Sequence, residues 1–257
     1  MVGMITSLQD LEQSGYARMV GLFPPIGSGK DPAPERNKPR VYKPVRRQSK
    51  ERGLFIVLEG LNCSGKSTLA AALAQPLSDW TDRETVIYRD PYDTPDNPFL
   101  DLLNQMKAQP EKTDPVDLAY AFMLNRRHLW NRIDWELDDH RNVICDRWTP
   151  STLVYQLGTK SNYGLWAKLA DFGTDVLQLG TPDLLVILRT SWETYQVRLA
   201  ARKVLKPGDT MTEAQFKARN ADYGLFNDAG ILQLSDQHLN HTQVIRHYLE
   251  TSKAIKV

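Results

Sequence analysis

The sequence predicts an α/β fold: a parallel sheet covered by helices on both faces. Three observations point there. Short, continuous apolar runs recur from Leu54 onward; each has strand length and lacks the alternation of a sheet with one wet face. Stretches with apolar residues at helical spacing separate them, and such alternation implies parallel strands joined by helices. The chain has 257 residues, 41% of them hydrophobic, which suits one domain of about 200 residues plus an appendage.

The elements follow in order. Leu54–Leu58 is an apolar run that reads as a buried strand. Ser67–Leu77 places Ala and Leu at helical spacing, and Glu84–Tyr88 reads as a second strand. A long amphipathic helix is expected over residues 115–138, through Leu118, Phe122, Leu129 and Ile133. Asn142–Cys145 and Asp183–Leu188 are the third and fourth strands, the latter opened by Thr181-Pro182. Ile231–Leu234 is a short fifth strand and residues 241–250 a last helix. No internal repeat is found.

Composition excludes several classes. A net charge of +1 and two cysteines describe neither a disordered tail nor a disulfide-stapled miniature, and suggest a reducing compartment. No apolar run approaches the roughly 18 residues of a membrane span. The first residues lack the apolar core of a signal peptide, so a soluble, cytoplasmic protein is expected. The charge is unevenly spread: residues 1–52 carry 10 Lys/Arg against 5 Asp/Glu. That stretch also holds Pro24, Pro25, Pro32, Pro34, Pro39 and Pro44, which resist helix and central strand. It reads as a basic, Pro-rich extension: a solvated arm, a strap on the main domain, or an arm for nucleic acid. Its Ile26-Gly27-Ser28-Gly29-Lys30-Asp31 run is a turn rather than a phosphate loop. Pro24 stands where the pattern needs Gly, and Asp31 where it needs a hydroxyl.

Gly60-Leu61-Asn62-Cys63-Ser64-Gly65-Lys66-Ser67, followed by Thr68, matches G-x-x-x-x-G-K-[ST] between a strand and a helix. Glycines let backbone N–H groups curl around phosphate oxygens, the lysine adds a point charge, and the hydroxyl suits Mg²⁺. ATP with Mg²⁺ is the expected ligand pair. Asp146, at the end of the third strand, sits where such proteins hold the magnesium shell; a turn or helix-cap role is the alternative. Arg89, Arg126 and Arg147 follow a strand, lie in a helix and follow a strand, so all three can meet at the carboxyl edge of the sheet. Phe122 and Arg126 share one helical face.

From Leu54 to its end the chain resembles the thymidylate kinase branch of the nucleoside monophosphate kinases. The resemblance rests on the first strand and phosphate loop, on Tyr88-Arg89-Asp90-Pro91-Tyr92-Asp93-Thr94-Pro95, on Phe122-Met123-Leu124-Asn125-Arg126, on Asp146-Arg147-Trp148 with Ser151, Tyr155 and Gln156, and on Pro182-Asp183-Leu184. It implies a P-loop three-layer sandwich whose five-stranded parallel sheet has the order 2-3-1-4-5, with the kinase domain over residues 53–257. It also implies transfer of phosphate from ATP to dTMP, and a homodimer. ATP would be held by Gly60, Asn62, Cys63, Ser64, Gly65, Lys66, Ser67, Thr68 and Arg198, with Ser67 and Asp146 on the metal. The acceptor would be met by Asn62, Arg89, Phe122 (stacking on the base), Arg126 (on the phosphate), Arg147, Ser151, Tyr155 and Gln156. A lid is implied over residues 198–217, with Arg198, Arg202, Lys203 and Lys206 ahead of Pro207-Gly208-Asp209. Lys66, Arg147 and Arg202 would act in catalysis, Arg202 as the transition-state cation.

The chain departs from the pattern in three places. Asn62 stands where the family has Asp, Tyr92-Asp93 replaces Gly-Gly, and the lid lacks the family's Asp-Arg pair. Cys63 is a small loop residue whose thiol the helix end could activate. Two other functions fit the motifs. A deoxynucleoside kinase would use Asp90 as a base on a 5′-hydroxyl, and a non-catalytic ATP-binding protein would have no acceptor site.

Overall fold

A computed structural model describes residues 52–158, 163–205, 209–226, 230–236 and 240–252. The extension before Arg52 and the lid residues Lys206, Pro207 and Gly208 lie outside the described residues. Five strands form one parallel sheet: β1 (Phe55–Gly60), β2 (Thr85–Arg89), β3 (Asn142–Asp146), β4 (Leu184–Arg189) and β5 (Ile231–Ser235). Their order is β2-β3-β1-β4-β5, as expected.

The helices are α1 (Lys66–Thr81), α2 (Leu100–Ala108), α3 (Pro115–Asp138), α4 (Thr149–Thr152), α5 (Tyr163–Asp171), α6 (Trp192–Ala200), α7 (Glu213–Tyr223) and α8 (His241–Thr251). Both α4 and α5 run on into a π-helical turn, at Leu153–Leu157 and Phe172–Val176. Pro115 opens α3 because a first-turn proline loses no helical hydrogen bond, and Asp114 caps it by accepting from Val116 N–H. Arg52, counted with the extension, instead pairs with Asp134 and Asp138 on α3.

Side-chain alternation assigns the two faces. Phe55, Val57, Val143, Cys145, Leu185 and Ile187 point into one core with Leu129, Trp130 and Ile133 of α3. Ile56, Leu58, Ile144, Leu184 and Val186 point into the other, covered by Leu69, Leu73 and Leu77 of α1 and by Ile245 and Leu249 of α8. Both faces are dry, which is why the central strands read as unbroken apolar runs. Each such buried side chain is worth roughly 1.5–3 kcal/mol against exposure.

The chain leaves β1 in one direction across the sheet and β3 in the other. The carboxyl ends of these adjacent strands therefore open a crevice that no crossover covers, where ligands of such sheets bind. No helix among the described residues is long and apolar enough to cross a membrane.

Candidate active site

A cleft of about 780 Å³ lies at this edge, walled by the loop after β1, the ends of β2 and β3, and the segment after α6. The loop after β1 is shaped by its backbone. Gly60 has φ +138°, and a Cβ there would sit 2.4 Å from the Leu188 carbonyl oxygen, so only glycine lets β1 turn away beside β4. Cys63 and Gly65 also have positive φ. Residues 62–68 all line the cleft, Thr68 included.

Lys66 is buried. Its Nζ donates to the carbonyls of Gly60 (3.0 Å) and Leu61 (2.7 Å), with Ser64 Oγ at 3.3 Å. Arg147 follows β3 in a left-handed conformation, φ +84°. Its guanidinium donates to Ser151 Oγ at 2.8 Å, Gly60 O at 3.3 Å and Asn62 Oδ1. Every one of these acceptors is neutral. Two cations thus share the cleft with no carboxylate paired to either among the described residues. Burial, then the neighbouring Arg147 charge, pulls the Lys66 ammonium down to about 7. Asn62 contributes directly: an Asp there would pair with Arg147, whereas the amide leaves its charge for a ligand.

Ser67 Oγ donates to Asp146 Oδ2 at 2.6 Å. The other oxygen, Asp146 Oδ1, is buried without a hydrogen-bond partner. A hydroxyl and a carboxylate with a spare lone pair form a donor set that suits Mg²⁺. Among the described residues no three His, Cys, Asp or Glu side chains gather into a metal cage. The ion would therefore complete its shell from phosphate oxygens and water, as Mg²⁺ ordinarily does.

The remaining expected residues divide. Arg89, at the end of β2, is exposed and lines the cleft. Arg198 reaches the loop, donating to Cys63 O at 3.1 Å. Arg202 lines the cleft and pairs with Asp209 at 2.6 Å. The two residues of this ion pair stand seven positions apart. Tyr155 lies just behind: its hydroxyl accepts from Asn62 N–H at 3.1 Å, and Arg147 stands 5.2 Å above its ring. Ser151 is buried and bonded to Glu59, and Gln156 is half-buried outside the cleft.

Burial sets two of the expected residues apart. Arg126 does not face the cleft; it is 0% exposed, ion-paired to Asp90 at 2.5 Å, bonded to Thr152 Oγ1 at 2.9 Å and stacked 5.4 Å from Trp148. Its Nε is buried without a hydrogen-bond partner among the described residues. Cys63 is buried, and desolvation pushes its thiol up rather than activating it. Phe122 stays half-buried, against Leu102, Leu103 and Met106 of α2.

Sequence reasoning missed Glu59 and Tyr223, both buried beneath Arg147, and His241, which lines the cleft from the start of α8. The signal for Glu59 was present, since an acid inside an otherwise apolar strand demands partners.

Known proteins resemble this chain in sequence and in fold. A family model described as Thymidylate kinase matches residues 58–226. The chain is 34% identical over 170 residues to a thymidylate kinase of Pseudomonas fluorescens, spanning 65% of this chain and 78% of that one. With a thymidylate kinase of Mycoplasmoides gallisepticum it shares 27% over 176 residues, 66% of this chain and 80% of the relative. The fold resembles that of a thymidylate kinase from Candida albicans, with a TM-score of 0.58 at 21% identity over 79% of this chain and 93% of that one.

Proposed function

The chain belongs to the thymidylate kinase family, and on that premise we propose that it transfers the γ-phosphoryl group of ATP to the phosphate of dTMP. The carrying observation is the pair of cations, Lys66 and Arg147, held in one cleft on neutral acceptors only. The nearby acids Glu59 and Asp146 form no ion pair with either cation among the described residues, so a polyanionic ligand can supply the direct counter-charge. Two nucleotides meeting end to end bring such a ligand.

Phosphoryl transfer asks the protein to align and neutralise, with little proton chemistry. In this reading the loop N–H groups and Lys66 take the ATP phosphates, and Arg198 steadies the loop. Arg147 and Arg89 meet the acceptor phosphate from the β3 and β2 sides, with Tyr155, Ser151 and Gln156 behind them. Phe122 supplies apolar surface near the base, and Arg126 supports the wall from below. Arg202, held ready by Asp209, neutralises charge on the moving phosphoryl group. Ser67 and Asp146 would hold Mg²⁺, which screens phosphate charge and fixes phosphate orientation when bound. A homodimer, a cytoplasmic setting and the absence of a nucleic-acid partner for the catalytic domain belong to the same reading.

The deoxynucleoside-kinase alternative needs Asp90 as a base. Asp90 is buried and paired with Arg126, which argues for the monophosphate acceptor. ADP release measured with dTMP, other deoxynucleoside monophosphates and thymidine tests the proposal. The expected result is the highest kcat/KM with dTMP; release without any acceptor dependence would refute it.

A further inference from the structure

Glu59 and Tyr223 lie 164 positions apart and meet beneath Arg147. Glu59 is fully buried and forms no ion pair among the described residues. Its two oxygens accept four hydrogen bonds. Oε1 takes the backbone N–H groups of Trp148 (2.7 Å) and Ser151 (3.1 Å). Oε2 takes the Ser151 hydroxyl (2.6 Å) and the Tyr223 phenol (3.0 Å).

The protons in this cluster run one way. Ser151 spends its only hydroxyl proton on Glu59 and is left as an acceptor. Arg147 uses that acceptor at 2.8 Å. Tyr223 Oη also lies 3.0 Å from Ser151 Oγ; its single proton goes to Glu59 Oε2, so the phenol braces the Glu59–Ser151 pair through the carboxylate. Arg147 meanwhile holds a left-handed backbone, which an L-residue keeps only when its surroundings enforce it. The enforcing bonds are those from Glu59 to the next N–H, at Trp148, and to the first turn of α4, at Ser151.

Tyr223 ends α7, the helix whose first residues lie in the expected lid range. Arg219, one turn earlier on the same helical face, stands 4.7 Å above the Tyr155 ring. That is the ring Arg147 also covers, and its hydroxyl binds the phosphate loop. Helix α7 therefore reaches the loop through Tyr155 and the turn that aims Arg147 through Glu59 and Ser151.

We propose that Tyr223 is a positioning residue for the kinase reaction: through Glu59 and Ser151 its hydroxyl ties helix α7 to the turn that aims Arg147. The inference rests on the kinase reading above. The phenyl ring packs in the core beside Phe226, so Tyr223→Phe keeps the packing and removes only the brace. The expected result is a fall of about fivefold or more in kcat/KM for dTMP, with KM for ATP within about twofold. Ser151→Ala should act in the same direction, and the double variant should fall no more than about twofold below the worse single one, because both substitutions break one network. A wild type that phosphorylates dTMP beside an unchanged Tyr223→Phe variant, or losses that multiply in the double variant, would overturn the inference and leave the function intact. A wild type inactive on dTMP would overturn the functional reading itself.

Discussion

Ser67 donates its hydroxyl to Asp146 across 79 positions of sequence, joining the first turn of α1 to the end of β3 at 2.6 Å. The pair spans the crevice between adjacent strands and leaves Asp146 Oδ1 buried and unpartnered. That oxygen is the group a divalent cation would satisfy. Asp146→Asn keeps the shape and the Ser67 contact while removing the charge. Activity in the presence of Mg²⁺ should fall by about 100-fold or more, while nucleotide binding in EDTA should change little. Both are read by steady-state kinetics and calorimetry. Unaltered magnesium dependence in the variant would remove Asp146 from the metal site.

Lys66 supplies a pH signature. Its ammonium is drawn down to about 7 by burial and by Arg147, whereas a phosphate ligand favours the charged form. Above pH 7 the free protein therefore holds Lys66 increasingly neutral, and nucleotide binding should take up as much as one proton. Below pH 6 that uptake should vanish. For stability the sign is the reverse of a salt-bridged lysine. The unfolded chain, with an ordinary lysine, binds the extra proton between about 7 and 10.4, so this residue's contribution to stability rises with pH across that window. Calorimetry of ADP binding at pH 8 in two buffers of different ionisation enthalpy measures the uptake, which Lys66→Met should abolish.

Much of this site was legible in the sequence, for identifiable reasons. The phosphate loop is local: one backbone turn, one lysine and one hydroxyl, all within eight residues between a strand and a helix. Strands β1, β3 and β4 were legible because both sheet faces are dry. Strand β2, at the sheet edge, is mixed in burial, and its signal is correspondingly weaker. Helix α2 escaped notice, being nine residues long with only Leu102, Leu103 and Met106 buried. Arg126 shows where spacing stops informing. Its helical face was readable, but the acid that claims it, Asp90, comes from a loop 36 positions away. The partners of Glu59 and the pairing of Arg202 with Asp209 are likewise products of the fold.

Arg126 gives a stability prediction that separates its two possible roles. Removing the guanidinium leaves Asp90 buried and uncompensated, which should cost about 3–5 kcal/mol of folding stability. Arg126→Ala should therefore lower the urea midpoint strongly, and Arg126→Ala with Asp90→Asn should recover part of the loss. A variant of native stability that had lost only dTMP affinity would instead place Arg126 at the acceptor phosphate.

Arg202 should behave in the opposite manner. It is partly exposed, so its removal costs little packing, and the stability change reports only the loss of its ion pair with the buried Asp209. Arg202→Ala should lower kcat by about 1,000-fold, in the range of other arginines that neutralise a transferring phosphoryl group, with KM for both substrates within about threefold. Arg198→Ala, which loses only a contact to the loop carbonyl of Cys63, should mainly raise KM for ATP. Equal effects from the two substitutions would show that no single lid arginine carries the transition-state charge.

The most direct test of the account is the fate of the transferred phosphate. The protein is incubated with γ-labelled ATP, Mg²⁺ and equal concentrations of dTMP and thymidine, and the labelled products are separated. Label is expected in dTDP, with no direct labelling of thymidine. Label appearing first in dTMP, by transfer to the thymidine hydroxyl, or remaining as free phosphate whatever the acceptor, would contradict it.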